Sequence, residues 1–549
     1  MAIGEEKLLL AIGSSNFKEF RDDGFYFVDK SELISDILKD GSKVFLFTRP
    51  RRFGKSLNLS MLDAFFNIKY KGNTWFNGLK INNHPEVEVH KNAYPVIKLS
   101  MNILDSDDFE EFISDFEERM WWMYGDFKYL ADSEKVDPTD RKYYRNIISK
   151  TTGGSLLTES LHKLCSMLKQ HHGVKPIVLF DEYDYIFNHA YGKESYCEIR
   201  EFIREFYARA FKDKDCFEFA FITGVMQIPK DEVFPELDNL KIDSVLNIGF
   251  EERCGFTESE VEELCSYIDQ PEKFDMIQEW YMGYHYGKAV IYNPWSVMNY
   301  LKGEHDPHPY WVDTSGNDII ILLLKNSNKE TFKDLISLGN GETISKKLQV
   351  SDAMNYQNGD IDTIFTVLAI AGYLNAVPSG DDTYLLSIPN KEMYSAFDEH
   401  FRKFAYDKIV PCTDLLRNAK YCNLEEIEKV LSRLSDKNRL FPLFDPGNNS
   451  DMILAGMIMD RRKEHRLTLE HETEIHYLTL ERRLTEYPNI VIGFKISESE
   501  DETESEHLAY EAIGQIHQRD YCKKLKGTTY LYGVCFSKKP RAILEETSF

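Results

Sequence analysis

Short, almost wholly apolar segments recur along the first half of the chain and alternate with segments of helical period. Segments that are apolar at nearly every position are typical of strands buried on both faces of a sheet. Their alternation with helices predicts an α/β fold, in which helices wrap a parallel sheet. The predicted strands are Lys43–Phe47, Pro95–Leu99, Pro176–Phe180 and Phe217–Ile222, with Ser244–Phe250 as a fifth candidate.

The pattern changes after residue 256. Thr257 and Glu260 form a capping box ahead of a helix, and residues 257–350 are predicted to form a mostly helical lid. A helix around Ile364–Ala371 and a strand at Tyr384–Ile388 predict a small helix-plus-hairpin module, winged-helix-like, over residues 351–422. The predicted division is therefore 1–256, 257–350, 351–422 and 423–549.

The last part, residues 423–549, is predicted to begin with a helix at Glu425–Leu434. Two strands follow, then a helix, then a further strand. These elements are Glu474–Leu480, Asn489–Ile496, His507 to about Leu525, and Thr528–Phe536.

The segment after the first strand has the layout of a phosphate site. Gly54, Lys55 and Ser56 open a helix, whose N-terminal N–H groups would cradle phosphates. Lys55 would reach the β- and γ-phosphates, and the Ser56 hydroxyl would bind magnesium. Arg49 replaces the usual first glycine, and the alternative is a Gly-Lys-Ser that caps an ordinary helix. The candidate nucleotide-binding residues are Arg49, Pro50, Arg51, Arg52, Phe53, Gly54, Lys55 and Ser56.

Two further strands end in residues that complete such a site. Pro176–Phe180 runs directly into Asp181 and Glu182. Asp181 is predicted to hold the metal ion together with Ser56, and Glu182 to polarise the attacking water. The alternative, two surface acids that cap a strand, is disfavoured by the phosphate loop. Thr223 ends another strand, and either senses the γ-phosphate or is a structural threonine.

These motifs, in this order, resemble the AAA-ATPase-like family found in bacteria and anaerobic microbes. The matching segments are FYFVDKS (Phe25–Ser31), RPRRFGKS (Arg49–Ser56), DEYD (Asp181–Asp184), TGV (Thr223–Val225), YNPWS (Tyr292–Ser296) and WVDTSGN (Trp311–Asn317). The resemblance covers most of residues 10–400. It implies a P-loop ATPase fold and an ATP- and Mg²⁺-dependent switch, with a non-hydrolysing ATP-binding scaffold as the alternative. It also makes Arg49 the family's own variant, so that Arg49, Arg51 and Arg52 would add positive charge at the phosphates.

The chain departs from the family pattern at Met282 and His285, where members often carry an arginine and an acid. If that arginine senses the γ-phosphate, its absence predicts slow hydrolysis.

The strand order of residues 474–536 resembles a PD-(D/E)XK nuclease core, in which carboxylates and a lysine converge on one metal ion. Gly493 stands where the family's metal-binding glutamate belongs, whereas Lys495 is kept. Glu474 is the best candidate for the first acid, and Gln515 matches a family glutamine. A missing carboxylate, with the acidic run Glu498–Glu506 nearby, predicts that nuclease activity is lost.

Composition narrows the classes of partner. The 549 residues carry a formal net charge of −25, which gives a nucleic-acid partner no support, although it leaves room for a local basic groove. The sequence identifies no protein partner. Nine cysteines without a Cys-x-x-Cys pair, an opening unlike a signal peptide and no long apolar stretch predict a cytoplasmic protein without membrane spans.

Overall fold

The structure is a computed structural model. It describes residues 10–102, 108–151, 154–190, 193–212, 215–228, 230–234, 237, 240–246, 249–303, 306–311, 329–339, 341–348, 361–380, 382–397, 424–435, 465–471, 476–484, 487–497, 500–518, 524–537 and 539–548.

The chain divides into two compact units. The first comprises Met1–Gly316 with Ser345–Met393, and the second comprises Asn317–Ile344 with Tyr394–Phe549. The finer division of the sequence into four parts, at residues 256, 350 and 422, stays a prediction.

A five-stranded parallel sheet forms the centre of the first unit. Its strands are β1 (Val44–Thr48), β2 (Val96–Ser100), β3 (Ile177–Asp181), β4 (Ala220–Gly224) and β5 (Leu240–Asp243). Their order is β2-β3-β4-β1-β5, and each neighbouring pair is parallel. The α/β class is confirmed, and the sheet is consistent with a P-loop NTPase fold.

The burial of these strands follows from their sequence. All five residues of β1 and of β4 are buried, because β1 and β4 lie inside the sheet. The candidate fifth strand, Ser244–Phe250, is wrong. The fifth strand is Leu240–Asp243, an edge strand with three half-buried residues, so it lacks the continuous apolar run of an inner strand.

Helices of the first unit cover the sheet and extend beyond it. Their bounds are α1 (Phe17–Asp22), α2 (Glu32–Asp40), α3 (Lys55–Phe66), α4 (Phe109–Gly125), α5 (Pro138–Ile148), α6 (Gly154–Leu157), α7 (Ser160–His172), α8 (Tyr185–Ala190), α9 (Tyr196–Lys212), α10 (Lys230–Val233), α11 (Glu258–Tyr267), α12 (Phe274–Tyr281) and α13 (Pro294–Lys302). The predicted capping box is confirmed, since Thr257 and Glu260 exchange both of its hydrogen bonds at the start of α11.

The predicted lid contains strands as well as helices. A short hairpin of β6 (Tyr284–Tyr286) and β7 (Ala289–Ile291) lies between α12 and α13, and the sequence did not predict it. Further along, α14 (Lys329–Gly339) and β8 (Ile344–Lys347) precede α15 (Ile361–Ile370). A strand pair follows, β9 (Asn375–Gly380) and β10 (Thr383–Ser387), of which the sequence predicted bounds only for the second. The three strands form a sheet in the order β8-β10-β9.

The second unit contains α16 (Leu424–Ser435), a five-stranded sheet and one helix packed against that sheet. The strands are β11 (His465–His471), β12 (His476–Arg482), β13 (Asn489–Ile496), β14 (Thr528–Phe536) and β15 (Arg541–Ser548), in sequential order, with β13 and β14 parallel. The sequence missed β11 and β15, which occupy the edges and carry mixed polar and apolar residues.

The helix of this sheet, α17, spans Glu502–His517 and begins earlier than predicted. The Asp501 side chain accepts a hydrogen bond from the Thr503 N–H and starts the helix. Glu502 and Glu504 are favoured in its first turn, where the helix dipole stabilises negative charge. Part of the acidic run is therefore the first turn of α17.

No helix among the described residues is long and apolar enough to span a lipid bilayer.

Candidate functional site

The loop between β1 and α3 is closed by its own lysine. Lys55 Nζ donates hydrogen bonds to the carbonyl oxygens of Arg49 and Pro50, at 2.9 and 2.8 Å. Gly54 has φ +95°, a left-handed conformation that favours glycine, and the neighbouring Arg52 has φ +68°. Burial lowers the pKa of Lys55. The loop thus surrounds a buried cation at the start of a helix, as a phosphate site requires.

Contacts on both sides hold the shape of this loop. The Phe53 ring is buried against Tyr284 with ring centroids 5.0 Å apart, and its carbonyl oxygen accepts the Gly255 N–H at 3.0 Å. The Pro50 ring lies so close to Gly372 that a Cβ there would come within 2.7 Å of it. The side chains of Phe53 and Pro50 therefore support the loop, and they were predicted only as members of the motif.

Arg49 differs from its predicted role at the phosphates. Its guanidinium is buried and forms an ion pair with Asp243 at the end of β5. It also donates to the Thr48 carbonyl oxygen at 2.8 Å and lies 4.4 Å from the centre of the Phe47 ring. The Arg49 charge is thus used inside the fold, because Asp243 already neutralises it.

The acid at the end of β3 lies against the start of α3. The Ser56 hydroxyl donates to Asp181 Oδ2 at 2.7 Å, and the Thr223 hydroxyl donates to Asp181 Oδ1 at 2.5 Å. The parallel register makes this possible, since Phe47 of β1 pairs with Thr223 of β4, and β4 lies between β1 and β3. Hydroxyl and carboxylate oxygens fit Mg²⁺, which takes a few protein ligands and completes its shell with water and phosphate.

Glu182 follows Asp181 in a conformation that is rare for its residue type. Its φ is +55°, and its Oε2 atom is buried without a hydrogen-bond partner. Burial is the main cause that raises the pKa of Glu182, and the nearby Asp181 and Asp184 carboxylates raise it further. The Lys55 and Arg51 charges lower it. A carboxylate with a raised pKa and a free oxygen in a cavity suits a general base.

Several of these residues line a cavity of about 540 Å³ within the first unit, a volume typical of small-molecule sites. Asp181 and Thr223 lie behind this lining and are not part of it. Its lining includes residues of the phosphate loop and of the turn after β3, namely Arg51, Arg52, Gly54, Lys55, Ser56, Glu182 and Asp184. Apolar and aromatic side chains contribute to the lining as well, including those of Ile12, Tyr26, Phe256, Trp295 and Met298. The Arg52 guanidinium lies over the Trp295 ring, 4.3 Å from its centre.

Residues 11–234 match the model of a family described as predicted AAA-ATPase. The matched range contains the phosphate loop, Asp181, Glu182 and Thr223, and the match supports an ATP-binding, ATPase-like function. A protein of Azotobacter chroococcum mcd 1, described as an uncharacterized protein in the vnfD 5′ region, is 27% identical over 409 residues. The alignment covers 71% of this chain and 69% of that relative.

Part of the cavity lining comes from beyond the matched residues 11–234. Trp295 of α13 comes from the YNPWS segment, which the sequence singled out without a role. Trp311 donates its indole N–H to the Arg51 carbonyl oxygen at 3.0 Å. Met282 and His285 do not line the described cavity, and His285 instead contacts Asn375 at 2.6 Å.

A buried carboxylate, Glu392, connects the segments that carry both tryptophans. It is 0% exposed and accepts hydrogen bonds from the Ser296 hydroxyl at 2.8 Å and the Trp311 backbone N–H at 2.9 Å. Burial raises the pKa of Glu392 to about 7, from an ordinary value of 4.5.

This shift predicts a pH-dependent stability that Glu392→Gln removes. Between these two pKa values the folded chain binds a proton that the unfolded chain releases, so folding stability falls as pH rises from about 4.5 to about 7. At about pH 8 the glutamine variant is expected to be more stable by up to about 3 kcal/mol, at ~1.4 kcal/mol per pKa unit. Thermal unfolding of the parent chain and of Glu392→Gln, at about pH 4.5 and at about pH 8, measures the difference in stability. Glu262→Gln is the control, because Glu262 is exposed. An equal gain in stability at both pH values would contradict the raised pKa of Glu392.

The second predicted site lies in the second unit, between β13 and α17. Lys495 Nζ donates to Glu511 Oε2 at 2.7 Å, and Lys495 is buried. A Cβ at Gly493 would lie 3.2 Å from the Ile516 side chain and 3.4 Å from that of Ala512. Gln515, on the same helix, has a buried Oε1 atom without a hydrogen-bond partner. Glu474 lies outside the described residues.

The sequence reasoning did not single out Glu511, which pairs with Lys495. It lies one helical turn before Gln515, and that four-residue spacing puts both side chains on one face of α17. The spacing was the signal that could have found it.

Proposed function

We propose that the first unit is an AAA-type ATPase that binds ATP with Mg²⁺ in the described cavity and hydrolyses it as a nucleotide-driven switch. The observation that carries this proposal is the convergence on Asp181. Ser56 and Thr223 both donate to its carboxylate, and the next residue, Glu182, has a carboxylate oxygen without a partner. Asp181 and Glu182 are thus at the positions where a P-loop ATPase needs a metal ligand and a base. Thr223 contacts Asp181, which favours an orienting role over the direct γ-phosphate sensor that the sequence suggested.

Each side chain then has one role. Lys55 exchanges its hydrogen bonds to the loop carbonyls for contacts to the β- and γ-phosphates, while N–H groups at the start of α3 bind phosphate oxygens. Ser56 and Asp181 hold the ion, which when bound neutralises charge on the phosphates. Glu182 accepts a proton from the attacking water, and Thr223 keeps the Asp181 carboxylate oriented.

A non-hydrolysing ATP-binding scaffold is the alternative, and rests on the departures at Met282 and His285. A single-turnover assay with γ-labelled ATP separates the two. The switch predicts Mg²⁺-dependent release of phosphate by the parent chain, whereas bound ATP that stays intact would favour the scaffold. None of the six described cysteines forms a disulfide, which supports our proposal of a reducing, cytoplasmic location.

We propose further that the nuclease-like part of the second unit is catalytically inactive. Lys495 pairs with Glu511, and Gly493 offers no carboxylate to a metal ion.

Gly493→Glu is therefore not expected to create DNA cleavage. The crowding of position 493 by Ile516 and Ala512 leaves little room for a longer side chain on that face. Plasmid nicking with Mg²⁺ or Mn²⁺ tests the parent chain and the variant, with Gly493→Ala as a packing control. Cutting by the parent chain that is lost in Lys495→Ala would contradict inactivity. Cutting by Gly493→Glu alone would show that one substitution had silenced the site.

A further inference from the structure

The turn after β3 holds Glu182 in a conformation that the residue does not favour by itself. Glutamate rarely adopts a left-handed backbone, because its Cβ approaches the following carbonyl oxygen. Such strained residues persist where their surroundings fix them, and they cluster at functional sites. The φ of +55° and the unpartnered, buried Oε2 atom mark Glu182 as such a residue.

Tyr183 attaches the turn to β4 and to the segment that follows it. Its N–H donates to the Thr223 carbonyl oxygen at 3.1 Å. Its hydroxyl donates to the Met226 carbonyl oxygen at 2.9 Å and accepts the Ile228 N–H at 3.0 Å. Its own carbonyl oxygen accepts the Tyr207 hydroxyl at 3.1 Å. Both the backbone and the side-chain hydroxyl of this buried residue are therefore fixed.

Asp184 makes a second attachment to the same segment. Its carboxylate accepts the Met226 N–H at 2.7 Å and the Val225 N–H at 3.1 Å, together with the Asn188 amide at 3.2 Å. A Cβ at Gly224 would lie 2.5 Å from Asp184 Oδ1. The close approach of the carboxylate to the end of β4 thus depends on a glycine there.

Glu182 is consequently held from both directions along the chain. On its N-terminal side, Asp181 belongs to β3 and is bonded to Ser56 and Thr223. On its C-terminal side, Tyr183 and Asp184 are bonded to residues 223–228. The backbone of Glu182 has little freedom between these anchors.

We propose that Tyr183 and Asp184 are positioning residues for hydrolysis, which hold Glu182 in its left-handed conformation with its carboxylate directed into the cavity. This inference rests on the proposed function, since it concerns the same ATP site. It gives the second half of the DEYD segment a role that differs from ligand binding: Asp184 acts on the reaction through Glu182.

Asp184→Asn is the test, because asparagine keeps the size of the side chain but removes its negative charge and one of the two oxygens that accept the Val225 N–H. Displacement of a catalytic group by about 1 Å costs on the order of 10²-fold in rate. Single-turnover hydrolysis should therefore slow by about 10- to 100-fold in Asp184→Asn, while ATP affinity stays close to the parent value. Tyr183→Phe, which removes only the hydroxyl, should shift the rate in the same direction and covers the case in which Asp184→Asn does not fold.

The decisive comparison repeats Asp184→Asn in a Glu182→Gln background. If Asp184 acts through Glu182, the Asp184→Asn substitution should cause no further loss of rate in the Glu182→Gln background, because the effects of coupled residues are not additive. Asp140→Asn is the matched control, since Asp140 is also buried and does not line the cavity; its rate should equal that of the parent.

An equal loss of rate in both backgrounds would overturn the inference, as would a parent-like rate in Asp184→Asn or a loss that lies wholly in ATP affinity. If the parent chain and Asp184→Asn hydrolyse ATP at the same rate, this inference is overturned and the proposed function still stands. Absence of turnover in the parent chain would overturn both.

Discussion

Replacement of Lys55 by alanine is expected to abolish measurable ATP binding. Lys55 is the buried cation of the phosphate loop, with its Nζ atom bonded to the Arg49 and Pro50 carbonyl oxygens. A triphosphate that enters the cavity would lose its main charge partner, and each charge-assisted hydrogen bond lost costs about 1.5–3 kcal/mol. Titration of a fluorescent ATP analogue measures the loss directly.

The matched control is Lys69→Ala, which removes a lysine charge that is exposed and outside the cavity. This variant should bind ATP as the parent chain does. Thermal unfolding distinguishes loss of binding from loss of fold. Unchanged affinity in a folded Lys55→Ala variant would mean that the phosphates bind elsewhere.

Replacement of Glu182 by glutamine is expected to lower the hydrolysis rate by about 10²–10⁴-fold while ATP still binds, since that is the usual contribution of a general base. Glutamine keeps the shape of the side chain and cannot take a proton from water. Single-turnover assays give the rate, and recovery of intact nucleotide from the protein shows that ATP is trapped.

Glu198→Gln provides the control, because Glu198 is an exposed carboxylate on α9 and should leave both rate and affinity unchanged. A Glu182→Gln variant that hydrolyses ATP at the parent rate would exclude Glu182 as the base.

The inner strands and the convergence of the acid with the phosphate loop could be predicted from the sequence. A run such as that of β1 is buried on both faces, so its apolar pattern is continuous. Strands that are parallel bring their carboxyl ends to one edge, and this places Ser56, Asp181 and Thr223 together.

The role of Arg49 could not be predicted, because its partner Asp243 lies 194 residues further along the chain. Asp243 belongs to an edge strand, whose pattern is too polar to recognise. The same reason explains why β11 and β15 were not predicted, since edge strands face solvent along one side and need no apolar run.

The positions of side chains in the cavity could not be predicted from the sequence either. Trp295 could be recognised as part of a motif, but its contact with Arg52 requires the packing of α13 against the loop. Likewise, the pairing of Lys495 with Glu511 depends on how α17 lies on β13. Contacts of this kind follow from tertiary packing rather than from local periodicity.

Calorimetric titration of the parent chain with ATP in the presence of Mg²⁺ tests the central claim most directly. We expect saturable binding of a single ATP per chain, weakened when Mg²⁺ is removed by a chelator. The absence of saturable heat up to about millimolar ATP, the upper end of usual substrate affinities, would contradict the assignment of this cavity as an ATP site.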